Sequence, residues 1–304
     1  MNTGFTELQN EYTRWLNTLG FSHSIEYSYT QNIKEFLEYL QMQGVSHISK
    51  LNQKHIKQYF DYLQTRTNKV KKAGGLSIAH LNKNFDATDK FLEFLHQMGL
   101  NTAPHPTLYR LRQDKQTRID NIQPFTQEEI KLLQANIENT FTHYPCQLKE
   151  KKQEQLKLVF VLYYACGLRK NEGYNLEVKD IDFDKKTLFV RQGKGYKDRI
   201  IPINKNVCKA LEHYIYNFRK FYKTNHKRLF VDQMCIICRN LKELQRIAEE
   251  PAIKSKRLSL HSLRHSIATH LLQNGMSVEN IGRFLGHSTL DSTQIYTHIV
   301  ETIK

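Results

Sequence analysis

Apolar side chains recur every three or four residues through most of the first hundred positions. Phe5, Leu8, Tyr12, Trp15, Leu16 and Leu19 fall on one helical face, and Gly20 marks a stop. Ile25, Tyr29, Ile33, Phe36, Leu37 and Leu40 repeat the pattern up to Gly44, and His55, Ile56, Tyr59, Phe60 and Leu63 form a third stripe. After Gly74-Gly75, a fourth runs through Ile78, Leu81, Phe85, Thr88, Phe91, Leu92 and Leu95 to Gly99. The spacing predicts four amphipathic helices with short connections, a small bundle. From Asn101 the periodicity stops. Pro104, Pro106 and then Arg110, Arg112, Lys115 and Arg118 sit in a stretch with no sustained stripe, which predicts an inter-domain linker over 104–123 between domains at 1–103 and 124–304.

The second domain opens on Thr126-Gln-Glu-Glu129, the form of a capping box. Leu156 to Cys166 is apolar almost all round and predicts a buried central helix. Thr187–Val190 and Arg199–Ile203 are rich in β-branched and apolar residues, and Gly193-Lys-Gly-Tyr-Lys197 between them supplies the turn of a hairpin. Further helices are expected at about 204–222, 234–249, 261–274, 277–285 and 289–296. The fold class is therefore mainly α with a small β-hairpin or sheet.

Length and composition narrow the class. At roughly 100–200 residues per domain, 304 residues suit two domains. With 13 Gly and 6 Pro, low-complexity and collagen-like chains are excluded. No apolar stretch approaches the roughly 20 residues that cross a bilayer, and the first residues lack a charged and apolar leader, so a cytosolic location is expected. The net charge of +15 favours a polyanionic partner, most often nucleic acid. The excess is uneven, +4 over residues 1–123 and +11 over 124–304. The five cysteines are expected to be reduced thiols, and Cys235-Ile-Ile-Cys238 has no second ligand pair nearby, so helix packing explains it better than a metal.

Several positions carry possible chemistry. Arg169 follows the apolar helix, where a guanidinium is costly to bury unless it faces a partner; a phosphate would suit it, and so would a salt bridge to Glu172. Lys194, on a glycine turn, could reach a DNA groove and donate a proton, or be a solvated turn residue. His261 and Arg264 lie at i and i+3 on one helix face near its N-terminus, where an anion is welcome; a capping histidine is the plainer alternative. His265 and Ser266 are expected to project elsewhere. In the segment Leu285-Gly286-His287 through Tyr296-Thr-His298, the phenol of Tyr296 would need cations and a base around it to act as a nucleophile.

Taken in order, Arg169, Lys194, His261-x-x-Arg264, Leu-Gly-His287 and Tyr296 resemble the pattern of the tyrosine recombinase (phage integrase) family, in its Xer-like and mobile-element forms. The resemblance spans the chain. It implies that the first hundred residues form a helical, SAM-like core-binding domain and that 124–304 form a mostly helical catalytic domain. It further implies strand breakage and rejoining without metal, ATP or any other cofactor. Tyr296 would attack the scissile phosphate to form a 3′-phosphotyrosyl link and release a 5′-hydroxyl. Arg169, Arg264 and His287 would hold the phosphate, His261 would be the general base, and Lys194 would protonate the departing oxygen. Glu172 would orient the turn carrying Arg169. The implied partners are double-stranded DNA with inverted-repeat core sites and a homo- or hetero-tetramer in the synapse, at the nucleoid and away from membranes. Integration, excision, inversion or dimer resolution would be the outcome. Cys166 stands where Thr or Ser is frequent in the family. Only eight residues follow Tyr296, so assembly is expected to rely on contacts other than a long exchanged tail. The first helix begins almost at Met1, so an extra arm-binding domain is not expected. A non-cutting DNA-binding relative and a type IB topoisomerase are the competing readings.

Overall fold

The structure, a computed structural model, describes residues 3–68, 73–112, 122–191, 198–287, 293–294 and 296–297. The chain divides into two compact units, Met1–Asp114 and Lys115–Lys304.

The first unit is a bundle of α1 (Thr3–Thr18), α2 (His23–Met42), α3 (Gln53–Thr65) and α4 (Ile78–Gln97). The middle of each stripe read from the sequence becomes its buried face, with Tyr12, Leu16, Phe36, Leu40, Tyr59, Leu63, Phe85 and Phe91 in the core, whereas the end positions Leu19, Ile25 and Ile78 are exposed. Aromatic rings dominate this core; Tyr12 meets Phe91 edge-on at 5.3 Å between centroids. Asn52 and His55 cap α3 reciprocally. The described part of the stretch expected to be linker is held to α4. The buried carboxylate of Asp89 accepts from the backbone N–H groups of Thr107 and Leu108 at 2.7 and 3.0 Å, from the Thr107 hydroxyl and from the Arg110 guanidinium. The Asn82 amide pairs with both backbone groups of Leu111 at 2.8 Å.

The second unit starts with α5 (Gln127–Ala135), closed at its N-terminus by the Thr126–Glu129 capping box. The expected central helix begins ten residues early: α6 runs over Cys146–Val159 and passes into a π-helical stretch, Phe160–Ala165. Residues 146–155 are mostly polar and charged and carry no apolar stripe, which hid the early start, and an all-round apolar run fixes no register, which hid the π-helical stretch. Then come α7 (Lys170–Asn175) and an antiparallel sheet of β1 (Ile181–Asp182), β2 (Thr187–Val190) and β3 (Arg199–Pro202), in the order β1-β2-β3. The two-residue β1 is too short to leave a sequence pattern. Leu188 pairs with Ile201 on the buried face, and Val190 pairs with Arg199. Helices α8 (Lys205–Asn217), α9 (Met234–Ile247), α10 (Pro251–Ser255), α11 (Leu260–Gln273) and α12 (Val278–Leu285) complete the unit. The expected helix at 289–296 lies mostly outside the described residues; 293–294 and 296–297 are helical. No described helix is long and apolar enough to cross a membrane.

Candidate active site

The π-helical stretch delivers the chain to the site. It ends at Cys166, whose N–H donates to Val161 five residues back, and Gly167 turns with φ +59°. A Cβ at Gly167 would sit 2.8 Å from a Leu285 methyl, so glycine is required both by conformation and by packing against α12. Two residues later, Arg169 caps α7. Its N–H and guanidinium both donate to the Glu172 carboxylate at 2.8 Å, and its other terminal nitrogen donates to the Gly286 carbonyl at 2.5 Å.

Gly286 closes α12 in the left-handed region, φ +66°. Its neighbour Leu285 presents a carbonyl to Arg264 at 2.8 Å, and Arg264 also donates to the Gly167 carbonyl at 2.5 Å. Two guanidiniums therefore bind consecutive carbonyls at the C-terminal end of one helix, where the backbone dipole favours cations. The contact is close. A Cβ on Gly286 would lie 2.8 Å from Arg199 Cδ and Nε.

Glu172 is the buried carboxylate at the centre of this cluster. Burial alone would raise its pKa, yet the two-pronged bond from Arg199, the Arg169 N–H and the Arg169 guanidinium bring it down to about 2. Arg264 differs from its neighbours. Burial and the nearby Arg169 lower it to about 10, which still leaves it charged at neutral pH. Among the described residues no carboxylate lies within ion-pair distance of it. A buried cation with only neutral partners calls for an anion, and the guanidinium fork suits two phosphate oxygens.

The phenol of Tyr296 completes the arrangement. It is 2% exposed and packs with Ala268, Ile281 and Leu285. Burial raises its pKa, and the positive charges of Arg264 and Arg169 pull it back. Its oxygen lies 2.9 Å from His265 Nδ1. The ring of His287 stacks on it at 6.2 Å and 14°. Burial, followed by Arg264 and Arg169, lowers His287 to about 4, so its imidazole is neutral at pH 7; Nδ1 is bonded to the Thr293 hydroxyl at 2.7 Å. His261 is exposed on α11 and lines a cleft of about 770 Å³ with Arg169, Lys170 and Asn171. Partial desolvation of its ring, then Arg264, Lys170 and Arg169, push its pKa down.

Residues 123–302 match the phage integrase family. The chain belongs to that family. Tyrosine recombinase XerA of Pyrococcus horikoshii is 31% identical over 284 residues, covering 88% of this chain and 88% of the relative. Tyrosine recombinase XerC of Bacillus subtilis is 29% identical over 279 residues, covering 90% and 84%. Among solved structures, the XerH site-specific recombinase bound to its difH substrate superposes with a TM-score of 0.69 at 17% identity, over 99% of this chain and 84% of that one. The Tn1549 transposon integrase in complex with transposon right end DNA gives 0.64 at 18%, over 95% and 94%. At these identities the two structures speak for the fold.

In this phage integrase family member the structure brings together Arg169, Arg264, His287 and Tyr296, with His261 at the adjoining cleft. Lys194 lies outside the described residues. Two residues were not anticipated. His265, expected to project elsewhere, is bonded to the Tyr296 oxygen, because Tyr296 approaches α11 on the flank one residue past Arg264. Arg199 opens β3, and nothing local in the sequence links it to Glu172, 27 residues earlier. Ser266 does face away, accepting from the Phe125 N–H at 2.8 Å. Among the described residues no group of His, Cys, Asp and Glu could hold a metal ion; Cys235 is exposed, Cys238 packs on the core, and all five thiols are free.

Proposed function

We propose that this family member is a site-specific DNA recombinase that breaks and rejoins strands through a covalent bond between Tyr296 and a 3′-phosphate. The observation that carries the reading is the buried phenol packed on Leu285, whose carbonyl and that of Gly286 hold Arg264 and Arg169. In the proposed reaction the Tyr296 oxygen attacks phosphorus in line with the departing 5′-oxygen. Arg169 and Arg264 hold the non-bridging oxygens and offset the charge that gathers on them in the transition state. The neutral imidazole of His287, bonded to Thr293 at Nδ1, offers Nε2–H to the same phosphate in the tautomer whose Nδ1 accepts. His261, at the cleft side, is the residue to which the family resemblance gives the phenolic proton, and Lys194 protonates the 5′-oxygen. The phosphotyrosyl bond conserves the energy of the phosphodiester, so a second 5′-hydroxyl can reverse the step.

The partner in this reading is duplex DNA with inverted-repeat core sites, bound by a core-binding unit over 1–103 and a catalytic unit over 124–304. A homo- or hetero-tetramer forms the synapse, with two protomers active at a time, in the cytoplasm at the nucleoid. The product is an integration, excision, inversion or resolution event, as in a mobile element.

The test begins with a duplex selected from a random-sequence pool by retention on the Tyr296→Phe variant. A nick beside the scissile phosphate then traps the covalent product. Wild type is expected to form a protein–DNA adduct stable to denaturant, and Tyr296→Phe none, with binding of the intact duplex unchanged. No adduct from wild type would leave a DNA-binding protein that does not cut. Relaxation of any supercoiled plasmid without sequence preference would indicate a topoisomerase instead.

A further inference from the structure

We propose that His265 takes the phenolic proton of Tyr296 as the tyrosine oxygen bonds to phosphorus. The inference rests on the recombinase reading above and assigns to His265 the step that family resemblance would give to His261. The geometry separates the two imidazoles. They lie at i and i+4 on α11, one turn apart on the same flank. His261 is exposed and borders the cleft with Arg169 and Lys170. His265 is half-buried, and its Nδ1 is 2.9 Å from the Tyr296 oxygen, within the reach a general base requires.

The surroundings suit that proton transfer. Tyr296 is buried among Ala268, Ile281 and Leu285, so water has little access to the phenol. A buried phenol keeps its proton until a base receives it, and with the imidazole proton on Nε2 the lone pair of Nδ1 points at it. Arg264, the residue before His265, then stabilises the oxygen as charge develops there. In the forward step the Tyr296 O–H bond breaks and its proton passes to His265 Nδ1. The O–P bond forms as the P–O5′ bond breaks with its electron pair on O5′, which takes a proton from Lys194. Religation runs the same transfers backwards, with His265 returning its proton to the tyrosine oxygen.

The experiment measures single-turnover adduct formation on the nicked duplex defined above, for His265→Ala and His265→Asn. Asparagine keeps a polar atom near the Nδ1 position but accepts no proton. Both variants are expected to bind the duplex like wild type and to form the adduct about 100-fold or more slowly. Added imidazole should accelerate His265→Ala and leave His265→Asn unchanged. A substrate with sulfur in place of the bridging 5′-oxygen, whose leaving group needs no acid, should not restore either variant. A near-wild-type rate in His265→Asn would overturn the proposal, since a hydrogen bond alone would then suffice. Restoration of His265→Ala by the sulfur substrate would also overturn it, placing His265 on the leaving-group side. Failure of wild type to form any adduct is a different result and removes the recombinase reading itself.

Discussion

Three guanidiniums share the site with the buried carboxylate of Glu172, and their partners sort them by what each is free to bind. Arg199 gives both terminal nitrogens to Glu172, and Arg169 divides itself between Glu172 and the Gly286 carbonyl. Among the described residues Arg264 meets only neutral carbonyls. Arg199 thus acts as a positioning residue: it fixes Glu172, and Glu172 fixes Arg169. Replacing Arg199 by Gln should leave duplex binding largely intact and slow adduct formation at least tenfold, the size of a misplaced clamp rather than a lost one. It should also change the response to acid. Glu172 has a folded pKa of about 2 against an ordinary value of 4.5, so its stabilisation is complete above 4.5 and is lost as pH falls through 2. Without Arg199 the folded value rises, because burial now outweighs the remaining partner. The variant should therefore unfold at a higher pH on acid titration, and at neutral pH it should lose about 3 kcal/mol of stability. An unchanged acid transition together with full cleavage would show that Arg199 only packs.

At the scale of elements, periodicity recovered what periodicity encodes. The four stripes of the first bundle became α1 to α4, because each has one apolar face. The Thr126–Glu129 box opened α5 as read. The π-helical stretch was invisible, since a run that is apolar on every side gives no angular signal. The packing of 104–112 was hidden for a related reason. Its anchors are polar pairs with partners about twenty or more residues away, and Pro104 and Pro106 erase any stripe. At the site, the i, i+3 relation of His261 and Arg264 could be read locally, whereas the His265–Tyr296 and Arg199–Glu172 contacts join different elements. Asp89 tests how much the anchored stretch matters. It is nearly inaccessible and accepts several donors, so Asp89→Ala leaves them unpaired and should cost about 3 kcal/mol. Trp15, the only tryptophan in the chain, sits in this unit beside Phe94 and reports its unfolding alone. The fluorescence midpoint in urea should fall by about 2 M. Asp86→Ala, which removes the more exposed carboxylate under Arg110, should cost less than about 1 kcal/mol. Equal effects of the two substitutions would refute the anchor.

For the whole molecule, charge should govern binding and chemistry in different ways. Most of the net +15 lies in residues 124–304, and mobile counterions screen exposed charges strongly. Duplex affinity should therefore fall steeply with salt, by roughly a thousandfold or more between about 50 and 200 mM if six or more phosphates are contacted. The cations around Tyr296 are in another situation. Arg264 is buried, Arg169 is partly so, and both are fastened to backbone carbonyls, so ions cannot gather around them and their field on a bound phosphate is screened far less. Once the duplex is bound, adduct formation should be nearly independent of salt. The measurement is a single-turnover cleavage series at protein concentrations that keep the nicked duplex saturated at each ionic strength, beside an equilibrium binding series with Tyr296→Phe. A bound-state rate that fell in parallel with affinity would mean that the attacking phenol is assembled with its guanidiniums only by exposed, salt-sensitive contacts, against the carbonyl-held arrangement seen here.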